Sequence, residues 1–232
     1  MKCSIFFPLR AGSTRAVRKN TRPFLKDGTS LFQHKIKQLI LTQQCLPDIV
    51  EIIISTNDPE VIEQAAPYLS ESVKLVARPE SLCMSTTKVS DLISYVPSVV
   101  RADYIFWVHA TSPFISSDDY IEAFSIYRNS IALGCNDSMM SVNEIRQFIW
   151  DASTKNVINV DRSINPWPNT QDLKPLYEIN HAFYISSKAN YLNFNDRIGK
   201  NPNLYVCEGS KKIDIDWEED FRIAQVLAEH AN

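Results

Sequence analysis

The chain has 232 residues, 44% of them hydrophobic and 22% charged, and its net charge is −3. These values exclude disordered and fibrous classes and leave room for one full α/β domain with a modest appendage rather than two large domains. The slight acidity also argues against a dedicated nucleic-acid binder, which presents a strongly basic face.

The run from Cys3 to Phe7 is apolar, Pro8 stops it, and a basic stretch follows, so the pattern predicts a buried strand feeding a polar loop. Ser30 then stands where it can cap a helix whose apolar residues Phe32, Ile36, Leu39 and Ile40 fall on one face. Glu51 to Ser55 predicts a second strand, Asp58 the cap of a helix through Val61 to Ala66, and Val73 to Val76 a third strand. A helix is expected near Leu92 to Val100, before Tyr104 to Val108, which is apolar throughout and so reads as a strand covered on both faces. This alternation predicts a mainly parallel sheet with helices on both faces. Ligands bind outside the carboxyl ends of such strands, which directs attention to the loops after Phe7, Ser55, Val76 and Val108.

Between about residues 142 and 180 the alternation lapses. Strand-like pieces at 148–150 and 157–160 and the loop Asn165-Pro-Trp-Pro-Asn169 suggest an inserted arm. Ala182 to Ser186 returns to strand, and a last helix is expected from Asp216 with Phe221, Ala224, Val226 and Leu227 on its apolar face. The apolar run at the N-terminus is far shorter than a signal-peptide core and nothing approaches a membrane span. Five cysteines share no short pairing interval, which fits reduced, mostly buried thiols. A cytoplasmic protein without membrane or nucleic-acid partners is the expectation.

Three constellations carry chemistry. The loop from Pro8 to Asn20 combines Gly12 and hydroxyls with Arg10, Arg15, Arg18 and Lys19, a composition that cradles polyphosphate or forms a solvated basic loop. Asp214 and Asp216, at i and i+2 on an expected strand, share one side and can hold Mg²⁺; equally, Asp216 can cap the helix that follows. His109-Ala-Thr-Ser-Pro-Phe114 offers an imidazole and two hydroxyls to orient an acceptor, or makes an ordinary turn before a helix capped by Ser117 or Asp118.

The order of these pieces narrows the choice. Pro8, Arg10, Gly12, Ser13, Lys19, Asn20, Arg22, Pro23 and Phe24 come first, then Ile54-Ser-Thr-Asn-Asp58, then Arg78-Pro79 with Leu82 and Thr86. Thr111-Ser-Pro-Phe114 follows, then Gln171 to Glu178 with Asn180 and Ala182 to Ile185, and finally Asp214-Ile-Asp216. The set resembles the acylneuraminate cytidylyltransferases, the CMP-sialic acid synthetases and their relatives acting on legionaminic or pseudaminic acids, over nearly the whole chain. The resemblance implies a Rossmann-like nucleotidyltransferase fold with residues 1–232 as one domain. It also implies that the arm at about 142–180 swaps across a homodimer and helps close the partner's sugar pocket. The reaction implied is transfer of CMP from CTP to the anomeric hydroxyl of a nonulosonic acid, with release of pyrophosphate.

Carried over position by position, Arg10, Lys19 and Asp216 are the catalytic residues, with Arg10 and Lys19 gripping the triphosphate. Leu9, Ala11, Gly12, Ser13, Asn20, Arg78 and Thr86 surround the nucleotide, and Asp214 and Asp216 hold Mg²⁺. His109, Thr111, Ser112, Gln171, Asn180 and Phe183 face the sugar. The chain departs from the pattern at Thr14, where the family has lysine, at His109 for glutamine, Ser85 for aspartate and His181 for glycine, and at Asn169 and Thr170 for arginines. Because His109, Thr170 and His181 are expected beside the acceptor, these departures bear on the sugar more than on the reaction. The alternatives are a nucleotidyltransferase with another base, or with a sugar phosphate or phosphonate acceptor; a metal-dependent glycosyltransferase; and a nucleotide-binding homologue without catalysis.

Overall fold

The computed structural model describes residues 1–12, 14–84 and 86–230. In chain order they form β1 (Cys3–Pro8), α1 (Leu31–Cys45), β2 (Ile49–Thr56), α2 (Pro59–Ala65), β3 (Val73–Ala77), α3 (Val89–Val99) and β4 (Tyr104–Val108). There follow α4 (Ser117–Ala132), β5 (Ser138–Ile145), β6 (Trp150–Asp151), β7 (Asn156–Val157), β8 (Leu176–Ser187), α5 (Lys188–Phe194), β9 (Pro202–Cys207) and α6 (Glu218–His230). One seven-stranded sheet runs β3-β2-β1-β4-β8-β5-β9. β8 is antiparallel to both its neighbours and every other pair is parallel.

Alternation along the strands divides the core between the two faces. Ile5 and Phe7 of β1 join Ile52, Ile54, Phe106 and Phe183 beneath α1, α2 and α4, whereas Phe6 joins Ile53, Ile105, Trp107 and Tyr184 beneath α3 and α5. The α/β expectation, with helices on both faces, is met. α1 starts where Ser30 and Gln33 satisfy each other's backbone N–H groups in a capping box. Its stripe of Leu31, Phe32, Ile36 and Leu39 is fully buried, each side chain contributing roughly 1.5–3 kcal/mol.

Several local expectations are corrected. Ser116, not Ser117 or Asp118, caps α4, because Ser116 and Asp119 have the three-residue spacing of a capping box. The excursion from the sheet covers 146–175, since residues 142–145 of β5 pair with 176–179 of β8; its two strands shrink to a hairpin of two residues each. Strands β5 and β9 and helix α5 were not foreseen. Helix α6 begins at Glu218 and buries Phe221 and Ala224 against Phe24, Leu31 and Ile215, leaving Val226 and Leu227 exposed because only one stripe of this outermost helix meets protein. All five cysteines are free, but only Cys3 and Cys207 are buried. Among the described residues no helix is long and apolar enough to cross a membrane.

Candidate active site

Strand order reverses between β1 and β4, and the loops leaving their carboxyl ends border a cleft of about 590 Å³. Among the described residues its walls carry Arg10, Arg15, Lys19, Arg78, Lys88 and Arg197 against two acids, Asp214 and Asp216. A chain of net charge −3 thus gathers its cations at one mouth, where they focus a positive field on an anionic ligand.

The loop after β1 is bolted to the loop after β2. Leu9 donates its N–H to the Ser55 carbonyl (2.9 Å), and Ala11 donates to Asn57 Oδ1 (3.1 Å). Gly12 turns the chain with φ +77°, a conformation that favours glycine. Arg18 pairs with Glu60, so among the loop's cations Arg10, Arg15 and Lys19 face the large cleft. Ala11 and Gly12 line a smaller adjoining cleft with Arg10, Lys19 and Asn20.

Lys19 ties the two ends of the chain together. Its Nζ donates to the Ile215 carbonyl at 2.6 Å and lies 3.6 Å from Asp216 Oδ1, which also accepts from Arg15 Nη2 at 3.0 Å. Burial lowers the Lys19 pKa while Asp216 and Asp214 pull it back up. Residues 213–216 are not a strand: a 3₁₀ turn at Gly209–Lys212 leads into them, Ile213 N–H closes back on the Ser210 carbonyl, Ile215 N–H is engaged by the Thr111 carbonyl at 2.8 Å, and Asp216 N–H is taken by the Asp220 side chain, so no ladder forms. Even so, Ile215 is fully buried and both aspartates line the cleft, so the i, i+2 geometry survives without a sheet. Asp216 is not the helix cap: Asp220 accepts from the N–H groups of Asp216 and Trp217, leaving the Asp216 carboxylate to the cleft.

Asp214 is largely buried, its Oδ1 has no hydrogen-bond partner among the described residues, and desolvation raises its pKa against the pull of Thr111 and Lys19. An orphaned carboxylate oxygen beside a second carboxylate suits a hard divalent cation, since Mg²⁺ takes one or two carboxylates and completes its shell with water and phosphate oxygens. Among the described residues no third His, Cys, Asp or Glu joins them. The residues present therefore fit Mg²⁺ shared with a bound phosphate, not an all-protein cage.

The turn after β4 is held from beneath by α1. Lys35, fully buried, donates to the carbonyls of Ser112 and Ile115 (both 2.8 Å) and to the Tyr120 hydroxyl (2.9 Å), and burial brings its pKa down to about 7. His34 Nε2 reaches the Pro113 carbonyl at 3.0 Å. Thr111 and His109 line the cleft, whereas Ser112 is buried and outside the lining.

On the β4–β8 side the wall is aromatic. Trp107 donates to His109 Nε2 at 2.6 Å, which leaves the imidazole proton on Nδ1. His181 stacks on His109 with ring centroids 6.4 Å apart. His181 sits in a bulge where residues 180–183 of β8 face Ser141 alone, and its backbone is left-handed, φ +60°. That conformation accounts for a family pattern with glycine there, histidine being among the residues that tolerate it.

His109 stays neutral. Desolvation lowers its pKa well below the usual histidine value, and Arg197, His181, Lys19 and Arg78 push the same way. As pH falls, the unfolded chain takes up this proton first, so stability is unaffected above about pH 6.5 and is lost progressively below it. Urea midpoints measured from about pH 7.5 to about pH 5 are expected to fall more steeply for the wild type than for His109→Gln. Equal slopes would mean that His109 takes up its proton as readily in the fold as in the unfolded chain.

Of the remaining expected site residues, Leu9, Asn20 and Arg78 line the cleft, and Arg78 Nη2 is fixed on the Ser55 carbonyl at 2.9 Å. Thr86 is exposed and outside the lining, its place taken by Thr87 and Lys88. Gln171 and Thr170 lie in an exposed turn of the arm, away from the cleft of their own chain. Asn180 is buried, donating to Asn143 Oδ1 and accepting from Ala182 N–H. Phe183 packs in the core against Phe106, Tyr120 and Tyr205. Ser13 and Ser85 lie outside the described residues. The sequence reading missed Arg197, a lone cation in Asn195-Asp-Arg-Ile-Gly199 with no motif around it.

The family model described as Cytidylyltransferase matches residues 5–221. Over 236 residues the chain is 25% identical to the N-acylneuraminate cytidylyltransferase of Escherichia coli O18:K1:H7, covering 100% of this chain and 53% of that one, so it spans about half of that relative's length. It is 26% identical over 242 residues to the CMP-N,N'-diacetyllegionaminic acid synthase of Legionella pneumophila, with 99% of this chain and 97% of that one covered. In fold it is similar to the solved CMP:2-keto-3-deoxy-manno-octonic acid synthetase complexed with CTP, with a TM-score of 0.66, 16% identity and 99% of both chains covered.

Proposed function

Since the chain belongs to the cytidylyltransferase family and is a nucleotidyltransferase, we propose that it transfers CMP from CTP to the anomeric hydroxyl of a nonulosonic acid. The observation that carries this reading is the meeting of the Arg10–Lys19 loop with the Asp214 and Asp216 pair at one mouth of the sheet. The relatives it matches act, by their names, on N-acylneuraminate and N,N'-diacetyllegionaminic acid. The sugar hydroxyl oxygen bonds to the α-phosphorus, the bond to the bridging oxygen breaks, pyrophosphate leaves with that electron pair, and the hydroxyl proton passes to water.

Such transfers depend mainly on positioning and on offsetting charge. Arg10 and Lys19 grip the triphosphate, the backbone at Ala11 and Gly12 approaches it closely, and Asn20 and Arg78 hold the base or ribose. Asp214 and Asp216 would hold Mg²⁺, which when bound neutralises phosphate oxygens. His109, through its Nδ1–H, and Thr111 orient the acceptor. The arm exposes Trp150, Ile158, Ile164 (82%) and Trp167 (68%), apolar surface that supports an arm covered by a second copy of the chain.

The test incubates the full chain with Mg²⁺, each nucleoside triphosphate in turn, and a panel of nonulosonic acids, sugar phosphates and phosphonates, reading pyrophosphate release and product mass, with the preparation sized by light scattering. A CMP-sugar formed from CTP and a nonulosonic acid, by a dimer, is expected. Turnover only with another base or a phosphorylated acceptor, or CTP binding without pyrophosphate release, would overturn it.

A further inference from the structure

Arg197 is 8% exposed, yet it lines the cleft. It follows α5, whose left-handed C-cap Asn195 (φ +50°) turns the chain back toward the sheet. Its guanidinium carbon lies 3.8 Å from the Tyr184 ring centroid and 4.8 Å from that of Trp107, and Nη2 donates to the Tyr184 hydroxyl at 3.1 Å. Arg15 in the same cleft has Asp216 as a partner, whereas among the described residues no carboxylate lies within 4.0 Å of Arg197. A guanidinium so desolvated and unpaired favours an anion from outside the chain.

The neighbours specify the anion. With Tyr184 accepting from Arg197, its own proton is free to go to His181 Nδ1, 2.7 Å away, and burial holds His181 neutral, an arrangement that places its N–H on Nε2. His109 is neutral likewise, with its N–H on Nδ1. One planar cation flanked by two neutral donors matches a single negative charge spread over two oxygens, and a dianionic phosphate would call for further cations. The strand order sets the place: Arg78 stands at the end of β3, the Lys19–Asp216 contact near β1 and β4, and Arg197 against β4 and β8. The nucleotide and the acceptor therefore approach the centre from opposite flanks.

We propose that Arg197 recognises the carboxylate of the acceptor sugar and so selects monoanionic sugar acids over neutral or phosphorylated sugars. This rests on the proposed reaction. Its test measures pyrophosphate release by the full chain with the best acid of the panel and with that acid's methyl ester, for the wild type, Arg197→Gln and Arg197→Lys. The wild type is expected to prefer the acid, and Arg197→Gln to raise the acceptor KM at least about tenfold with the CTP KM unchanged, the size of a lost charge-assisted bond. Arg197→Lys recovers part of the loss, and the acid-over-ester preference shrinks in Arg197→Gln. Wild-type turnover that does not distinguish acid from ester, or an acceptor KM unmoved by Arg197→Gln, would overturn this assignment alone. A CTP KM rising in step with the acceptor KM would overturn it too, by showing a general loss of the site. Absence of wild-type turnover with every acid would overturn the reaction and this assignment with it.

Discussion

Asp216→Ala is expected to lower turnover at least about a hundredfold while the protein stays folded, the range found when one electrostatic stabiliser is removed from a transfer site. Stability should hold because the Asp216 side chain is 44% exposed and its ion pair with Arg15 is half-exposed, so the contact contributes about 0–1 kcal/mol. Lys19→Ala should show a loss of the same order. Its Nζ, 3.6 Å from Asp216, is a largely buried cation that offsets both aspartates, and removing it leaves Asp214 without that charge and Asp216 with Arg15 alone. The measurements are kcat with CTP, Mg²⁺ and the acceptor, and the urea midpoint of each variant. A near-normal kcat in either, with metal supplied, would remove that residue from the mechanism.

Phe183→Ala has the largest expected effect on stability. The ring is fully buried in a cluster with Phe106, Tyr120 and Tyr205, at centroid distances of 5.5, 5.9 and 5.2 Å. Emptying such a site costs about 3–5 kcal/mol, a fall in Tm on the order of 10 °C for a chain of this length. Phe183→Leu, which keeps most of the volume, should retain the acceptor KM. Thermal melts and acceptor kinetics on the two variants separate packing from recognition, since a ring that touched the sugar would raise the acceptor KM in Phe183→Leu without a matching loss of Tm.

The legible parts of the fold are those encoded over short stretches. The apolar runs that became β1, β2 and β4 and the cap-plus-stripe pattern of α1 are read from neighbouring residues, and the strands and helix stand where that pattern puts them. Strands β5 and β9 were not legible because they take their identity from pairing with each other across more than sixty residues, β5 lying between β8 and β9 in the sheet. The same limit explains Asn180 and Phe183. Motif position brought both under the sugar, while the bulge in β8 aims His181 into the cleft and leaves Phe183 on the opposite face of the sheet.

By itself the sequence determined the alternation of strands and helices, and hence a cleft at the carboxyl ends of β1 and β4, because hydrophobic period and capping act locally. It also supplied the chemical types at that cleft, a cationic glycine loop and a pair of acids. Tertiary structure alone decided that Lys19 touches Asp216, that Asp220 rather than Asp216 serves α6, and that Arg197 lies desolvated between Trp107 and Tyr184. Partners of that kind are chosen by sheet order and burial, which bring together groups that no local spacing connects.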